Sequence, residues 1–405
     1  MSWSNVNLSE VCKIGDGNHS SKYPKKSEMV NHGIPFIRAT NLVNGVISTK
    51  ELLYISEHKH FELKKGHLKA GDVLFTNRGE IGKLGIVPVE LDNSNLNSQI
   101  AWLRCGEKLL NKYLFYFLAS SQMKDLFKQE KTGAALQQLT IRQIENIKVP
   151  LPTLSIQKKI VEKIDAIFAE IDKATAATEA NIKNAEALFQ SYLAEIFMCG
   201  GEGWETKTIG DISKIKGGKR VPKGSSLQYE PTPYKYLRVA DFGDDGQINQ
   251  DKLMYASADV REKIKNYTIN SEDLYVSIAG TIGKTGIVPK ELDGALLTEN
   301  ACKLVFNTDI YNKFVYYFTL TESFKAQALE NTRTSAQPKL ALSRLQNIQL
   351  KIPTVSEQIL IAKKFDLLNS KIQSCKLFYE MKLNEYLNLR NALLKQVFEG
   401  KLVKE

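Results

Sequence analysis

The chain has few of the features that would cross-link it by disulfides, ligate a metal or anchor it in a membrane. Its cysteines lie far apart and no two have C-x-x-C spacing; they are Cys12, Cys105, Cys199, Cys302 and Cys375. Neither a disulfide framework nor a zinc site is indicated, and a reducing environment fits this pattern. There is no apolar run of about eighteen residues and no N-terminal segment resembling a signal peptide. We therefore expect a cytoplasmic protein that is neither exported nor membrane-spanning.

Sequence motifs of enzymes are also missing. The chain contains no G-x-S-x-G, no H-E-x-x-H and no methyltransferase-like Asn/Asp-Pro-Pro-aromatic tetrapeptide. All five histidines lie in the first half, at His19, His32, His58, His60 and His67. The last three belong to a cationic segment with no histidine in the corresponding part of the second half, so a metal site is not favoured. We predict no catalytic residue, no metal and no enzymatic activity in this chain.

What the chain does contain is a copy of itself. Residues 79–92, GEIGKLGIVPVELD, return as GTIGKTGIVPKELD at residues 280–293, a displacement of 280 − 79 = 201 residues with eleven of fourteen positions identical. The same displacement relates residues 139–157 to residues 340–358. Two copies of about 200 residues are too long for a solenoid repeat, so each is a domain-sized unit with its own core.

The charge balance points to the kind of partner. The chain of 405 residues has a net charge of +10, with 25% charged and 43% hydrophobic residues. This composition is ordinary for a globular protein, and the positive balance favours a polyanionic partner, nucleic acid first. A basic surface that is merely solvated would have the same composition.

Residues 3–152 have the pattern of an α+β domain. Short β-branched or aromatic runs bounded by Gly, Asn and Pro predict strands at 34–37, 73–75, 84–87 and 100–103. Helical spacing of apolar residues predicts a helix over 112–127.

A long helix is predicted next. Ser155 stands at an N-cap position after Pro150-Leu151-Pro152. Apolar or small residues then follow a heptad alternation at Ile160, Ile164, Ile167, Ile171, Ala174, Thr178, Asn181, Ala185, Leu188 and Tyr192. A helix of about 40 residues spans about 60 Å, which exceeds the size of one small domain.

The second half repeats this order. Its seam comprises Ile361, Phe365, Leu368, Ile372, Cys375, Tyr379, Lys382, Tyr386, Leu389 and Leu393. Because an unburied apolar stripe is costly, we predict that each helix buries its seam against the other. Heptads leave the relative direction open, and an antiparallel pair with pseudo-two-fold symmetry is favoured. The predicted domain boundaries are 1–152, 153–201, 202–353 and 354–405.

The repeated glycine-containing stretch has three readings. A nucleotide-binding loop is disfavoured, because the G-x-x-x-x-G-K-[ST] spacing is missing and a strand-like run follows where a helix would be needed. A tight turn would use the glycines for positive φ and leave Lys83 and Lys284 exposed. Alternatively, those two lysines contact DNA phosphates.

Two further stretches have nucleic-acid chemistry. Residues 214–223, KIKGGKRVPK, contain Lys214, Lys216, Lys219, Arg220 and Lys223 with no acid, and the counterpart in the first half contains Lys22, Lys25 and Lys26. Basic, glycine-containing loops suit phosphate contacts, and an arginine can also form a bidentate contact with guanine. The segments ahead of the long helices supply Gln137, Gln138, Arg333, Gln337 and Lys339, which can read base edges.

These residues match a known family: the chain resembles the DNA-specificity subunit of type I restriction-modification enzymes. The resemblance covers essentially the whole chain. It is carried by the GxIGKxGIVP stretch in each half, by IKVPLPTLS at 147–155 and IQLKIPTVS at 348–356 with Gln157 or Gln358 following, and by LLKQVFEGKL at 393–402.

The resemblance implies a function and a set of partners. It implies an α+β fold with two target-recognition domains joined by two long helices in an antiparallel coiled coil. Each domain would read half of an interrupted site in double-stranded DNA, and the helices would set the gap and dock two modification subunits. Those methyltransferase subunits would carry S-adenosylmethionine, and restriction subunits would use ATP and magnesium, with no cofactor in this chain. Two other classes compete. One is a coiled-coil scaffold whose globular ends bind proteins, and the other is a self-sufficient nuclease or methyltransferase, which would require a cofactor motif that the sequence lacks.

The candidate residues follow from these patterns. The predicted DNA contacts are Lys22, Lys25, Lys26, Arg38, Asn77, Arg78, Lys83, Gln137, Gln138, Lys216, Lys219, Arg220, Lys223, Arg238, Lys284, Arg333, Gln337 and Lys339. The predicted coiled-coil interface comprises Ile160, Ile164, Ile167, Ile171, Leu188, Ile361, Phe365, Leu368, Ile372, Tyr386 and Leu389.

Overall fold

A computed structural model describes residues 3–19, 21–130, 137–330 and 340–401, and the structural statements below concern these residues. The chain divides into two compact units. Unit 1 comprises Met1–Thr178 and Glu380–Glu405, and unit 2 comprises Glu179–Tyr379. The unit boundaries therefore fall inside the two long helices, whereas the sequence suggested boundaries at the helix ends.

Unit 1 combines short strands with helices. Its strands are β1 (Asn5–Asn7), β2 (Cys12–Asp16), β3 (Met29–Val30), β4 (Ile34–Ile37), β5 (Leu42–Val43), β6 (Val46–Ile47), β7 (Leu53–Ile55), β8 (Val73–Thr76), β9 (Leu84–Ile86), β10 (Asn95–Leu96), β11 (Ile100–Cys105) and β12 (Lys148–Pro150). Its helices are α1 (Leu8–Val11), α2 (Glu57–Glu62), α3 (Asn111–Ala119), α4 (Ser121–Glu130), α5 (Ile141–Glu145) and the first part of α6 (Leu154–Cys199). The four strands predicted from sequence are thereby confirmed to within two residues.

Two four-stranded sheets organise unit 1. One is antiparallel with the order β2-β11-β8-β9, and the other has the order β10-β4-β7-β3 with β10 and β4 parallel. Strand β1 pairs with β12, which brings the start of the unit to the base of α6. The main core lies between the antiparallel sheet and the helices, and includes Phe75, Tyr113, Phe117 and Ile160.

The prediction of a single helix over residues 112–127 is wrong. Helix α3 ends at Ala119 and α4 begins at Ser121, because Ser120 has an extended backbone with ψ of 155°. The hydroxyl of Ser120 accepts a hydrogen bond from the N–H of Met123 at 3.4 Å, as a helix-capping serine does. Both halves of the predicted helix still face the core, so the apolar spacing continued across the break.

Unit 2 repeats these elements. Its strands are β13 (Glu205–Thr208), β14 (Ser213–Gly217), β15 (Lys235–Leu237), β16 (Met254–Tyr255), β17 (Thr268–Ile269), β18 (Leu274–Ser277), β19 (Thr285–Ile287), β20 (Ala295–Leu297), β21 (Ala301–Phe306) and β22 (Gln349–Ile352). Its helices are α7 (Ile209–Ile212), α8 (Ala258–Ile264), α9 (Asn312–Thr319), α10 (Glu322–Glu330), α11 (Leu342–Leu345) and the first part of α12 (Val355–Phe398). The sheet β14-β21-β18-β19 has the same order as its counterpart β2-β11-β8-β9 and begins each strand 201 residues later.

The two long helices run antiparallel within unit 2. Glu186 of α6 lies 2.6 Å from Lys376 of α12. Further along α6, the rings of Phe189 and Phe197 contact Phe365, with centroids 6.3 and 6.0 Å apart. Residue numbers thus rise along α6 as they fall along α12. Each helix also completes the core of the unit in which it lies: Phe365 belongs to the core of unit 2, and Leu394 at the other end of α12 belongs to the core of unit 1.

The predicted heptad seam drifts off the contact face near its end. Leu188 is 61% exposed while the next residue, Phe189, is 8% exposed. Leu389, the counterpart of Leu188, is 52% exposed, whereas Leu393 and Leu394 beyond it are 8% and 4% exposed. A helix that keeps its 3.6-residue period departs from a strict heptad by about 20° per repeat, so four heptads accumulate nearly one residue.

The other residues of the predicted coiled-coil interface face the interior, whereas Asn181 and Cys375 of the predicted seams are exposed. Buried are Ile160, Ile164, Ile171, Ile361, Phe365 and Ile372, and half-buried are Ile167, Leu368 and Tyr386. None of the helices in the described part of the chain is both long and apolar enough to cross a membrane.

Candidate nucleic-acid interface

The repeated glycine stretch forms a tight turn between two strands in each unit. Gly79 and Gly82 have φ of 75° and 101°, and Gly280 and Gly283 have φ of 77° and 88°. The hydroxyl of Ser277 closes the second turn by accepting from the N–H of Lys284 at 2.8 Å. The turn prediction is thereby confirmed, since a side chain at such φ would be strained.

The two lysines of these turns are less free than the sequence suggested. The side chain of Lys284 is 22% exposed, and its ammonium lies 2.8 Å from Asp244 and donates to the carbonyl of Phe242 at 2.9 Å. Lys83 is 35% exposed and lies 2.8 Å from Glu80. A role in the turn therefore explains Lys284 better than a phosphate contact does.

Four chain segments meet beyond the ends of the antiparallel sheet and form what we call the rim. In unit 1 the rim comprises residues 16–19, 77–80, 97–99 and 137–139, and in unit 2 it comprises residues 217–220, 278–281, 298–300 and 340. The N–H of Asn77 donates to the carbonyl of Gln99 at 3.0 Å, and the N–H of Leu139 donates to the carbonyl of Asn77 at 2.8 Å. In unit 2, Ile278 makes the matching bonds to Asn300 and Leu340 at 2.8 and 2.9 Å. The same framework is therefore built twice.

A glycine allows the closest approach within each rim. A Cβ atom at Gly17 would lie 2.4 Å from the carbonyl oxygen of Asn97. At the equivalent Gly218 it would lie 2.0 Å from the carbonyl oxygen of Thr298. Only glycine fits at these two positions, because no side chain tolerates backbone atoms at such distances.

Unit 1 presents a chain of charged and polar side chains on its rim. The Nε2 of His19 lies 2.8 Å from a carboxylate oxygen of Asp16, whose other oxygen is 3.3 Å from the ammonium of Lys65. On the opposite side of the ring, Nδ1 of His19 accepts from Arg78 at 3.1 Å. Because the guanidinium of Arg78 can only donate, Nδ1 of His19 is the acceptor and Nε2 is left to donate to Asp16.

Unit 2 presents a different pair at the same place. The Nε of Arg220 donates to the carboxylate of Glu299 at 2.6 Å, while the arginine side chain is 79% exposed. Partial burial acts to raise the pKa of Glu299, but hydrogen bonds from Arg220 and Thr298 outweigh it and hold that pKa below its usual value. Glu299 is therefore ionised at neutral pH.

Lysines surround both rims. Lys25 and Lys26 are exposed, and Lys22 lies 3.3 Å from Glu62 on α2. Lys216 and Lys223 are exposed in unit 2, and the ammonium of Lys219 lies 5.6 Å from the centroid of the Tyr267 ring. These positions are compatible with phosphate contacts, which need an accessible cation.

Three predicted contacts have structural partners instead. Asn77 is 2% exposed and donates to the carbonyl of Leu139 at 3.0 Å, so it joins rim segments rather than reaching outward. All three guanidinium nitrogens of Arg238 are engaged within its unit, with Asp241 at 2.7 Å as the ionic partner. Arg38 donates to the carbonyl of Glu51 at 3.0 Å. The internal partners of these residues depend on the fold and are not visible in the sequence.

Of the segment ahead of the first long helix, the structure describes the part that begins at Gln137. The backbone of Gln138 pairs with that of Arg78, and the exposed Gln137 accepts from the N–H of Gly79 at 3.0 Å. These two glutamines therefore belong to the rim. The predicted contacts Arg333, Gln337 and Lys339 lie outside the described residues.

Sequence reasoning missed rim residues that carry its chemistry. Asp16, His19, Gln99 and Glu299 were not among the predicted contacts, although the displacement of 201 places His19 opposite Arg220. Acidic residues are easily passed over when a basic surface is sought. Within the described residues, no group of three or more His, Cys, Asp or Glu side chains is arranged to hold a metal ion.

The fold and the rims define a class of protein, a tandem-duplicated α+β protein with two equivalent rims and paired long helices. The family model described as type I restriction modification DNA specificity domain matches residues 1–184 and again residues 201–376. The chain therefore belongs to this family and carries its domain twice.

Individual relatives agree with this assignment. The type I restriction enzyme MjaVIII specificity subunit of Methanocaldococcus jannaschii is 24% identical over 398 residues, covering 90% of this chain and 87% of the relative. A chain solved in work on complex assembly and conformational transition of the type I R-M system has a TM-score of 0.79 at 20% identity, covering 99% of this chain and 98% of that chain. The HsdS subunit from Thermoanaerobacter tengcongensis has a TM-score of 0.60 at 20% identity, covering 99% and 97%. At these identities the structural likeness concerns the fold.

Proposed function

We propose that the chain is the DNA-specificity subunit of a type I restriction-modification complex and that each unit reads one half of an interrupted DNA site. The observation that carries the proposal is a shared framework with unshared side chains. Gly17 and Gly218 build the same close approach, while His19 and Arg220 occupy one equivalent position with different chemistry. Residues common to both units cannot distinguish two different half-sites, whereas these side chains can.

The remaining roles follow from membership of such a complex. In this proposal the long helices set the gap between the half-sites and dock two modification subunits, and restriction subunits join that assembly. The chain supplies recognition and no catalysis. S-adenosylmethionine is bound by the modification subunits, and ATP with magnesium by the restriction subunits. The complex acts on double-stranded DNA in the cytoplasm.

A protein-binding scaffold is the second candidate function. It is favoured by exposed apolar side chains on α12, where Leu360 and Leu367 are 54% and 59% exposed. Exposed apolar residues grouped on one element are typical of protein contacts. The scaffold alone would bind DNA weakly and without sequence preference.

Mapping methylated adenines separates the two functions. DNA would be sequenced from a host that carries this chain together with a modification subunit, and from the same host without the chain. We expect methylation at one interrupted sequence that requires the chain. Unchanged methylation in the two hosts would contradict the DNA-specificity function.

A further inference from the structure

Arg220 occupies a position that the two units use differently. It lies 220 − 19 = 201 residues after His19, and both side chains are held by a carboxylate. In unit 1 the carboxylate comes from Asp16 of the same segment, at 2.8 Å. In unit 2 it comes from Glu299 of another rim segment, at 2.6 Å. The shared backbone framework therefore fixes this position in both units, and the side chain that occupies it differs between them.

The backbone beneath Arg220 is firmly held. The N–H of Gly218 donates to the carbonyl of Ala301 at 2.9 Å, and the N–H of Lys219 donates to the carbonyl of Leu297 at 2.8 Å. The hydroxyl of Tyr236 donates to the carbonyl of Lys219 at 2.8 Å. Because this backbone is already held in place, less conformational entropy is lost when the side chain of Arg220 binds a ligand.

The guanidinium of Arg220 is oriented through one edge. Its Nε is taken by Glu299, and within the described residues Arg220 makes no other hydrogen bond. The side chain is 79% exposed, so the two terminal Nη groups face solvent. Two parallel N–H donors on a planar group match two neighbouring acceptors.

We propose that Arg220 reads a guanine by donating its two Nη groups to O6 and N7 in the major groove, and that Glu299 is its positioning residue. This inference rests on the proposed function, because it names the base that one unit recognises. Among the bases, guanine presents two adjacent acceptors on its major-groove edge, and the planar fork of arginine donors matches both.

A phosphate contact explains the arrangement less well. Glu299 is ionised and only 27% exposed, so its negative charge stays beside the guanidinium and would repel a phosphate placed there. Lys216 and Lys223 are exposed, and among the described residues neither has an acidic side chain in ion-pair contact, so they offer phosphate contacts without this repulsion. A base edge carries no net charge and avoids this repulsion.

His19 offers no comparable pair of donors. Its Nε2 is engaged with Asp16 and its Nδ1 with Arg78. Unit 1 therefore presents a different donor and acceptor pattern at the equivalent position. The two units are thus expected to read different bases there.

The test uses the full chain with its modification subunit and a library of random double-stranded DNA. Methylation rates are measured for all sequences by sequencing. Replacing Arg220→Ala should reduce discrimination at one G·C base pair of one half-site by about 5- to 150-fold and leave the other half unchanged. Arg220→Lys should also weaken discrimination there, because a flexible ammonium lacks the planar fork of donors that fits both acceptors.

Glu299 is tested through the same base pair. Glu299→Ala should lose discrimination at that pair, and Glu299→Gln should lose less, since its amide oxygen still accepts from Nε. Lys207→Ala is the matched control. Lys207 lies on β13, which precedes β14, whereas Arg220 follows the end of β14. This change should therefore leave every base preference intact.

The outcomes separate the inference from the proposed function. If the unchanged chain directs no methylation to an interrupted sequence, the proposed function fails. If it does so and Arg220→Ala slows all sequences equally, Arg220 contacts the DNA backbone and the guanine inference is overturned. The guanine inference is also overturned if Arg220→Ala leaves all base preferences and methylation rates unchanged. Melting curves confirm folding of each variant, which the exposure of Arg220 leads us to expect.

Discussion

The side-chain oxygen of Gln157 accepts a hydrogen bond from the N–H of Leu110 at 2.9 Å, which ties the first turn of α6 to the start of α3. The same amide donates to the carbonyls of Lys108 and Pro152, both at 2.9 Å. Gln358 repeats the arrangement in unit 2 with Tyr311 at 2.8 Å. Each buried glutamine therefore anchors a long helix to its domain.

Removing this amide should destabilise the unit that contains it. Gln157→Ala leaves a partly buried N–H and two carbonyls without this partner, which costs about 1–3 kcal/mol. For a unit of this size each kcal/mol lowers the melting temperature by about 2–4 °C. Calorimetry should show this shift, whereas Gln190→Ala, an exposed position on the same helix, should leave the transition in place. Equal melting of both variants would contradict the anchoring role.

Stability at alkaline pH should depend on Tyr113. Its side chain is fully buried, and burial raises its pKa above the ordinary value of 10.0. Because the folded pKa is the higher one, the tyrosine's contribution is complete below about pH 10 and is lost as the pH rises further. Above that pH, denaturant unfolding of the original chain should lose about 1.4 kcal/mol per pH unit more than Tyr113→Phe does.

An exposed tyrosine provides the control for the loss of stability at alkaline pH. Tyr229 is 68% exposed, so Tyr229→Phe should follow the stability curve of the original chain. The comparison concerns slopes against pH, because Tyr113→Phe also removes a hydrogen bond of 2.8 Å to the carbonyl of Pro150. Parallel curves for the original chain and Tyr113→Phe would show that the phenol does not ionise differentially on unfolding.

The sequence predicted the architecture because the duplication left strong internal signals. The displacement of 201 residues carries over to strand starts, to the positive-φ glycines of both turns and to the start of each long helix. Apolar periodicity predicted the helices and most of their buried faces. It misplaced Leu188 and Leu389, because a strict heptad was assumed where the helices keep their own period.

The recognition surface was harder to predict. Arg238 and Asn77 were predicted to contact DNA, yet their partners come from backbone and side chains of their own unit. Glu299 was overlooked because its role depends on Arg220, 79 residues away in sequence. Local sequence pattern contains no information about such pairings, whereas comparison of His19 with Arg220 across the duplication would have found the position.

DNA affinity should depend on salt through the exposed lysines of unit 2. Changing Lys216 and Lys223 together to alanine should reduce the slope of log K against log salt by about 0.9 for each lost phosphate contact, about 1.8 in total. Binding would be measured by fluorescence anisotropy over a range of salt concentrations. The single change Lys207→Ala should leave the slope unchanged. If the double variant keeps the original slope, these two lysines do not contact phosphates.

Specificity should be exchangeable one half at a time. Replacing residues 3–150 by the equivalent domain of another specificity subunit should alter one half of the methylated sequence and preserve the other half and the gap. The reason is that each rim lies within a single unit and draws its side chains from that unit. Methylation mapping checks the result, and a change in both halves at once would contradict reading by separate units.

A fragment of residues 1–201 should associate with a second copy of itself. In the intact chain the core of unit 1 includes Leu393, Leu394, Val397 and Phe398 of α12, and this fragment lacks all four. The apolar surface that they cover in unit 1 must then be buried by another helix or remain exposed to water. The fragment also retains the second half of α6, which packs in unit 2 when the chain is intact.

That second half of α6 offers a substitute. Leu193 and Phe197 correspond to Leu394 and Phe398 at the displacement of 201, so a second copy can supply matching side chains in a two-fold dimer. Phe189 corresponds to Arg390, whose ion pair of 2.6 Å with Asp172 would be lost. The association should therefore be weaker than the pairing in the intact chain, which also has the effective concentration of a tethered partner.

Light scattering at micromolar concentrations measures the association, and circular dichroism confirms folding. We expect a dimer for the fragment and a monomer for its variant with Phe189→Asp and Leu193→Asp, because these residues belong to unit 2 in the intact chain and do not contribute to the core of unit 1. The dimer should direct methylation of a palindromic, interrupted sequence, since both of its rims carry His19 and none carries Arg220. A folded fragment that remains monomeric at high micromolar concentration would show that the second half of α6 cannot replace α12.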